Sequence, residues 1–211
     1  MPTSPRLNSS QKSRTDVELV AAIQSGQTEL YEELVSRYDS KLYNFGIRMC
    51  RNTSDAEDLV QETFLNVFKY LKGFRHEAKF KNWLYKIAAS ICIKKRRRRK
   101  YEPDRSLSLE EFLPGDEAQM AAKAPTWVSI PLDQLLNKEL ATMLGDSIHA
   151  LPHKYRVVAV LRDVEGFSTI ETAKILEISP ANVKVRLHRA RLFLREKLKN
   201  YFEHDDRITS T

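Results

Sequence analysis

The sequence is poor in the residue patterns that build catalytic and metal sites. Its two cysteines, Cys50 and Cys92, lie in helical patterns outside any Cys-x-x-Cys spacing, which predicts reduced and buried thiols. The six glycines are isolated, so there is no glycine-rich phosphate loop, and neither Gly-x-Ser-x-Gly nor His-Glu-x-x-His occurs. His149 and His153 are four residues apart, but Pro152 between them breaks the helical face that a metal pair would share. We therefore expect no catalytic residue, no metal and no cofactor, and an enzyme is the weakest of three function classes.

Long apolar runs are also missing. No stretch is long enough to span a bilayer, and the first residues do not have the pattern of a signal peptide, so we expect a cytoplasmic protein without membrane insertion. What the chain has in excess is positive charge. Its 35 Lys and Arg against 28 Asp and Glu give a formal net charge of +7 and a pI near 9.4. This balance favours a polyanionic partner, with nucleic acid as the first candidate.

The 211 residues suit two small domains with a connector better than one large core. Residues 1–14 are polar and predict a disordered tail. Residues 101–131 contain four prolines, and six acids lie between Glu102 and Glu117, which predicts an extended linker. We expect an all-α fold of two helical domains, 15–100 and 132–203, joined by this flexible linker and followed by a tail, 204–211.

The stretch 168–199 predicts a helix-turn-helix. Ser168 and Glu171 form a capping box that opens a short helix, and Ser179 followed by Pro180 opens a second helix at once. The second helix has a buried stripe of apolar residues at steps of three or four: Val183, Leu187, Ala190, Leu194 and Leu198. Two short helices joined by three residues are typical of this DNA-binding motif.

The opposite side of the second helix is basic. It carries Lys184, Val185, His188 and Arg189, with Arg191 and Arg195 at its flanks. Residues 184–199 hold seven Lys or Arg and one acid, so this helix gives up the ion pairs that a solvated helix normally makes. DNA binding is therefore favoured over an ordinary amphipathic helix pair with a solvated face.

In the first domain, Thr15 with Glu18 and Ser54 with Glu57 are capping boxes that predict helix starts. The helix 55–71 buries one stripe: Ala56, Val60, Phe64, Val67 and Leu71. Its other side carries acids, an amide and a leucine: Asp55, Asp58, Gln61, Glu62 and Leu65. Simple solvation and docking of a partner protein fit this periodicity equally well.

The next helix begins near Phe80 and runs into seven consecutive cations, 94–100, which include Arg96, Arg97, Arg98 and Arg99. Such a run predicts a solvated or a phosphate-binding arm. Phe74 and Tyr85 are predicted to be exposed near it, where single-stranded bases could stack on them, whereas Phe80 and Trp83 are assigned to packing.

The order of these blocks resembles the bacterial extracytoplasmic-function sigma factors. The resemblance covers roughly residues 17–200 and rests on DAEDLVQETFLNVFKYL, GFRHEAKFKNWLYKIAAS, the basic run, the linker and LPHKYRVVAVLRDVEGFSTIETAKILEISPANVKVRLHRARLFLREKL. It implies a sigma factor that binds core RNA polymerase and promoter DNA, initiates transcription of a restricted gene set and works at the nucleoid. An anti-sigma factor is a further candidate partner.

The resemblance also implies three sites. Docking on the polymerase clamp helices falls to Asp58, Gln61, Glu62 and Leu65. The loop 74–80 and the next helix would capture a base flipped from the melted non-template strand, through Phe74, Asn82, Tyr85, Lys86 and Ser90, beside Arg96, Arg97, Arg98 and Arg99. The upstream promoter element would be read by Lys184, Val185, His188 and Arg189.

The chain departs from the family pattern at a few positions. Ser90 stands where Asn is common, Glu177 where Gly is common, and the pair Thr169 and Ile170 where Tyr-Glu is common. Val185 stands in place of a Ser and favours apolar contact with a thymine methyl. The alternative function is a stand-alone helix-turn-helix regulator that does not bind core polymerase, and an adaptor that does not bind DNA comes third.

Overall fold

The computed structural model describes residues 14–50, 52–98 and 138–208, of which 96–98, 138, 139 and 200–208 are described by their backbone alone. Within these ranges every regular element is helical, which confirms the predicted all-α class. The predicted tail up to residue 13, the predicted linker 101–131 and the end of the chain from residue 209 lie outside the described residues.

The described residues of the first half, 14–50 and 52–98, form four α-helices and two short 3₁₀ turns. They are α1 (Asp16–Gln24), a turn (Thr28–Leu30), α2 (Tyr31–Met49), α3 (Thr53–Tyr70), a turn (Leu71–Gly73) and α4 (Phe80–Arg98). The predicted capping box at the start of α1 is confirmed, because the Thr15 hydroxyl accepts from the backbone N–H of Glu18 and the Glu18 carboxylate accepts from the backbone N–H of Thr15.

The predicted capping box of Ser54 and Glu57 is wrong. The helix α3 begins at Thr53, and Asn52 is its N-cap, with an extended backbone at φ −135° and ψ 158°. The Asn52 amide oxygen accepts from the backbone N–H of Asp55 at 2.7 Å, and its amide nitrogen donates to the Asp55 carboxylate at 2.8 Å. Because the helix starts earlier than predicted, Ser54 lies inside the first turn rather than at the cap.

Helices α2 and α3 pack closely at Gly46. A Cβ atom at this position would stand 3.1 Å from the Cβ of Ala56, so a larger residue would push the helices apart. The predicted apolar stripe of α3 is buried against α2 and α4, as expected: Ala56, Val60, Phe64, Val67 and Leu71.

The second half contains α5 (Lys138–Ala150), α6 (His153–Ala159), which continues as a π-helical turn (Val160–Val164), α7 (Thr169–Leu176) and α8 (Pro180–Ile208). The residues predicted for its core are buried: Val157, Val158, Val160 and Leu161. The predicted stripe of the last helix is buried too: Val183, Leu187, Ala190, Leu194 and Leu198.

The two halves pack against each other. Helix α7 lies on α4, while α5 and α6 touch α2. Where α6 touches α2, the guanidinium of Arg156 is buried and donates to the backbone carbonyl of Met49, at the end of α2, at 3.0 Å. It also donates to the carbonyls of His149 and, at 2.9 Å, of Leu151 in its own half. The sequence predicted two domains but not this contact between them, and the boundaries 15–100 and 132–203 stay a prediction.

Candidate nucleic-acid interface

The helix-turn-helix is built by local hydrogen bonds that the sequence predicted. The Ser168 hydroxyl accepts from the backbone N–H of Glu171 at 3.1 Å, and the Glu171 carboxylate accepts from the backbone N–H of Ser168 at 2.9 Å. At the other side of the turn, the Ser179 hydroxyl accepts from the backbone N–H of Asn182 at 3.1 Å and caps α8. These caps fix the direction in which α8 leaves the turn.

The turn contains a strained residue. Glu177 ends α7 with φ 55° and ψ 43°, in the left-handed region that glycine adopts without cost. Its side chain is exposed and pairs with Lys86 of α4 at 2.7 Å. The hydrogen bond from the Lys86 ammonium, together with the charge of that group, lowers the pKa of the Glu177 carboxyl.

The predicted upstream-element residues lie together on the outer side of α8 but differ in exposure. Lys184 is exposed and Val185 is 41% exposed, whereas His188 and Arg189 are half-buried. The Arg189 guanidinium lies 3.4 Å from the hydroxyl of Tyr155, and the Nε2 atom of His188 is buried without a hydrogen-bond partner among the described residues. Lys184 and Val185 are therefore the side chains that stand out furthest.

Arg191, predicted at the flank of this face, binds a carboxylate of the second half. Its guanidinium makes two hydrogen bonds to the Asp163 carboxylate, at 3.0 and 2.6 Å. The bond to Asp163 raises the pKa of Arg191. This bidentate pair fixes α8 to the π-helical turn, so Arg191 positions the helix.

The loop before α4 and the outer side of α4 form an open cleft. It is lined by the first half at Gly73, Phe74, Asn82, Trp83 and Lys86, and by the second half at Lys174 and Ile175. The structure thus brings three of the predicted melted-region residues together in one cleft.

Two aromatic predictions for this region are wrong. Phe74 is half-buried rather than exposed, because its ring packs on Trp83 at 4.9 Å between centroids. Tyr85 is fully buried, at 0% exposure, with its ring against Phe45 and against Phe167 of the second half. The helical period placed Tyr85 on the correct side of α4, but the second half covers that side.

The remaining predicted residues of α4 also have neighbours. The Asn82 amide donates to the Glu171 carboxylate at 3.2 Å, and the Lys86 ammonium pairs with Glu177. Ser90 is half-buried, and its hydroxyl donates to the carbonyl of Ile87 in its own helix. Ala89 was predicted at the outer edge of α4 but is buried. The side chains of Arg96, Arg97 and Arg98 and the whole of Arg99 lie outside the described part of the chain.

The predicted docking residues form an exposed face on α3. Asp58, Gln61 and Glu62 are exposed, and Leu65 is 64% exposed. Lys95, from the start of the basic run, pairs with Asp58 at 3.3 Å. The stretch Thr53–Tyr70 thus has the predicted apolar stripe in the core and Asp58 and Glu62 outside. The prediction is wrong for Asp55, which is buried in the first turn with its carboxylate bonded to the Asn52 amide.

Sequence reasoning missed several residues of these surfaces. Phe68, one turn after Leu65, is 54% exposed, and it lies at the edge of the apolar stripe, where periodicity does not show whether a side chain is covered. Lys81, Glu165 and Phe167 line the contact between the two halves. Helical periodicity carries no signal for them, because it describes each helix alone.

Among the residues that the structure describes, no group of three or more His, Cys, Asp or Glu is arranged to hold a metal ion. The same part of the chain contains no helix with the length and hydropathy needed to cross a membrane.

Comparison with known proteins gives concordant matches in both halves. The family model of Sigma-70 region 2 matches residues 34–102, and that of Sigma-70, region 4, matches residues 141–194. The chain is 33% identical over 182 residues to the ECF RNA polymerase sigma factor SigW of Bacillus subtilis, covering 86% of this chain and 95% of that one. It is 30% identical over 193 residues to the ECF RNA polymerase sigma-E factor of Haemophilus influenzae, covering 88% and 96%.

Two solved structures share the fold. CnrH in complex with the cytosolic domain of CnrY aligns with a TM-score of 0.61 and 25% identity, covering 88% of this chain and 97% of that one. The sigma factor RpoE in complex with the anti-sigma factor NepR from Bartonella quintana aligns with a TM-score of 0.58 and 23% identity, covering 80% and 96%.

Proposed function

The chain belongs to the extracytoplasmic-function (ECF) family of RNA polymerase sigma factors, and we propose which of its surfaces meets each partner. It is an RNA polymerase sigma factor, which binds core RNA polymerase and promoter DNA and initiates transcription. Sigma factors are initiation factors without enzymatic activity, and we propose the same for this chain. Because its partners are polymerase and DNA, we propose that it acts in the cytoplasm at the nucleoid.

The proposed docking surface for core polymerase is the outer face of α3, defined by Asp58, Gln61, Glu62, Leu65 and Phe68. The observation that carries this proposal is the combination of exposed acids with two exposed large apolar side chains one turn apart, Leu65 and Phe68. Exposure of two neighbouring large apolar side chains to water is unfavourable unless a partner covers them. A protein partner would cover them and match the negative charge with positive charge of its own.

The proposed surfaces for DNA lie on α4 and α8. On the first-half side of the cleft, Phe74, Asn82 and Lys86 supply aromatic, amide and cationic side chains, which suit an unstacked base and its phosphate. The outer side of α8 is basic and has Lys184 and Val185 exposed, which suits the edge of a major groove. We assign phosphate contacts near the melted region to the basic run with Arg96, Arg97, Arg98 and Arg99.

An anti-sigma factor is a further proposed partner. The two structures of similar fold were solved as complexes, CnrH with the cytosolic domain of CnrY and RpoE with NepR. The second of these complexes pairs a sigma factor with an anti-sigma factor, which supports the proposal that this chain is also controlled by a binding protein.

Charge reversal tests the docking proposal. Asp58→Lys together with Glu62→Lys should abolish co-purification with core polymerase, since like charges across a docking interface cost several kcal/mol. The same protein should keep its affinity for duplex promoter DNA, because α8 is unchanged.

The matched control is Glu32→Lys with Asp39→Lys, which makes the same change of charge at two exposed positions of α2. The proposal for α3 is wrong if the variant at 58 and 62 binds core polymerase as well as this control does. A stand-alone regulator would be indifferent to both pairs and would not bind core polymerase in any form.

A further inference from the structure

The second half of the chain lies on the surface that we propose for the melted DNA strand. Three glutamates of the second half engage side chains of α4. The Glu165 carboxylate accepts from the Tyr85 hydroxyl at 2.5 Å, the Glu171 carboxylate accepts from the Asn82 amide at 3.2 Å, and the Glu177 carboxylate pairs with the Lys86 ammonium at 2.7 Å. Three of the predicted polar residues of this surface, Asn82, Tyr85 and Lys86, are therefore engaged by acidic side chains of the same chain.

Apolar packing accompanies these polar contacts. The rings of Tyr85 and Phe167 lie 4.9 Å apart at their centroids, and both residues are buried. The Lys81 ammonium lies over the Phe167 ring at 4.4 Å and donates to the backbone carbonyl of Glu165 at 2.9 Å. The buried Arg156 adds the separate contact to the end of α2. The contact is thus a packed interface with a desolvated centre.

The charges on the two sides are complementary. Lys79, Lys81 and Lys86 belong to the loop and to α4, and the glutamates face them from α7 and from the turns on either side of it. The phosphates of a single strand would need the same lysines, and its bases would need the space beside Asn82. The second half and a DNA strand therefore exclude each other on this surface.

The backbone conformation of Glu177 is a further observation about this contact. Its left-handed backbone, φ 55°, would suit glycine better, so the side chain is retained at a cost in backbone strain. The described contact of that side chain is the ion pair with Lys86. This ion pair can form only while the second half lies on α4.

We propose that the free protein masks itself: Glu165, Phe167, Glu171 and Glu177 hold the second half on α4, and the strand-binding surface becomes available only when the halves separate. This inference rests on the function proposed above for the outer side of α4. It makes the closed form a competitor of promoter DNA, so the fraction of open protein limits the apparent affinity for the melted strand.

The test uses an opening variant of the full chain, Glu165→Ala with Glu177→Gly. The glycine relieves the left-handed backbone while removing the ion pair, so the helix-turn-helix itself should not be destabilised. The control variant, Glu32→Ala with Asp39→Ala, removes two exposed acids of α2 and thus the same charge. In each protein, spin labels are placed at Ala21→Cys and Glu196→Cys, both exposed positions, in a background with Cys50→Ser and Cys92→Ala.

The first readout is the distance between the labels in the absence of DNA and polymerase. The wild-type background and the control should give the same narrow distribution, centred on the distance of the closed arrangement, and the opening variant a longer and broader one. Equal distributions in all three proteins would overturn the closed arrangement as a state held by these glutamates.

The second readout is binding of a fluorescent, mixed-sequence pool of single-stranded DNA oligonucleotides. The opening variant should bind on the order of tenfold more tightly than the control, in the range usual for coupled equilibria. A longer label distance without a gain in binding would overturn the masking. The strand-binding role of α4 is tested separately by adding Asn82→Ala and Lys86→Ala to the opening variant: a loss of binding to the pool supports that role whether or not opening raised the affinity, and no loss would overturn it, so the two failures are distinguishable.

Discussion

The hydroxyl of Tyr85 on α4 donates a hydrogen bond to the carboxylate of Glu165 at 2.5 Å, although 80 residues separate them in the sequence. Burial of the phenol, together with its bond to Glu165, raises the pKa of Tyr85. The phenol therefore stays protonated and keeps donating throughout the physiological pH range. This bond joins the two halves of the protein at the centre of their contact.

Removing the hydroxyl should weaken the contact between the halves without removing its apolar part. Tyr85→Phe keeps the ring against Phe167 but leaves the buried acceptor without this donor, at a cost of about 1 to 3 kcal/mol. Glu165→Gln retains an acceptor oxygen and should cost less. Hydrogen exchange of the amides at the contact checks both. Equal protection in Tyr85→Phe and in the wild type would show that the bond contributes nothing to closure.

The corrected N-cap of α3 makes a prediction about stability. Asn52→Ala should lower the free energy of unfolding by about 1 kcal/mol, since the backbone N–H of Asp55 loses its capping acceptor. Ser54→Ala, at the position that the sequence predicted as the cap, should change it by less than about 0.5 kcal/mol. Denaturant unfolding of both variants measures the difference. A larger loss in Ser54→Ala than in Asn52→Ala would contradict the assignment.

The stability of the contact between the halves should depend on pH through Glu171. Hydrogen bonds from the Ser168 backbone, the Asn82 amide and the Ser168 hydroxyl, together with Lys79, lower the pKa of Glu171 from 4.5 to about 2. A lowered pKa means that the ionised carboxylate stabilises the fold above pH 4.5, and that this stabilisation is lost as the pH falls toward 2.

Because the Ser168 bonds are local and the Asn82 bond crosses between the halves, Asn82→Ala should raise the pKa of Glu171 only part of the way to 4.5. Titration of the Glu171 carboxyl carbon by NMR measures this value. No change in Asn82→Ala would mean that the bond between the halves is not formed in solution.

Removal of Arg189 and removal of Lys184 from α8 should change DNA binding in different ways. Arg189→Ala should weaken binding to a matched promoter duplex by about 1 to 3 kcal/mol and relax the preference at one base pair, as expected for a guanidinium that contacts a base edge. Lys184→Ala should weaken binding equally on every sequence, as expected for a phosphate contact. Binding to a set of duplexes with single base changes separates the two. Uniform weakening by Arg189→Ala would assign it to phosphate as well.

Local patterns in the sequence predicted what each helix does alone. The capping boxes at Thr15 and Ser168, the stripe of α3 and the stripe of α8 all lie as expected, since apolar period and cap chemistry act within a few residues. The cap of α3 was predicted wrongly because the Ser54 and Glu57 spacing fits the better-known capping box. The actual N-cap is Asn52, whose amide oxygen accepts from the backbone N–H of Asp55.

Contacts between distant segments could not be predicted in this way. Tyr85 was placed on the right side of α4, but its burial depends on Glu165 and Phe167, and periodicity does not show which helix will cover another. The same limit explains Arg156, a charged residue inside a nearly apolar stretch, whose acceptors include the carbonyl of Met49 in the other half. A buried cation of this kind is the sequence feature that comes closest to a signal for the contact.

The most direct test of the function is transcription in vitro with purified bacterial core RNA polymerase and genomic DNA, with the transcript start sites mapped in the presence and absence of the protein. The protein should produce discrete starts that core polymerase alone does not make, and these starts should share sequence elements upstream. They should disappear with the variant that carries Lys at 58 and 62 and persist with the matched control on α2. Start sites that are identical with and without the protein would contradict its assignment as a sigma factor.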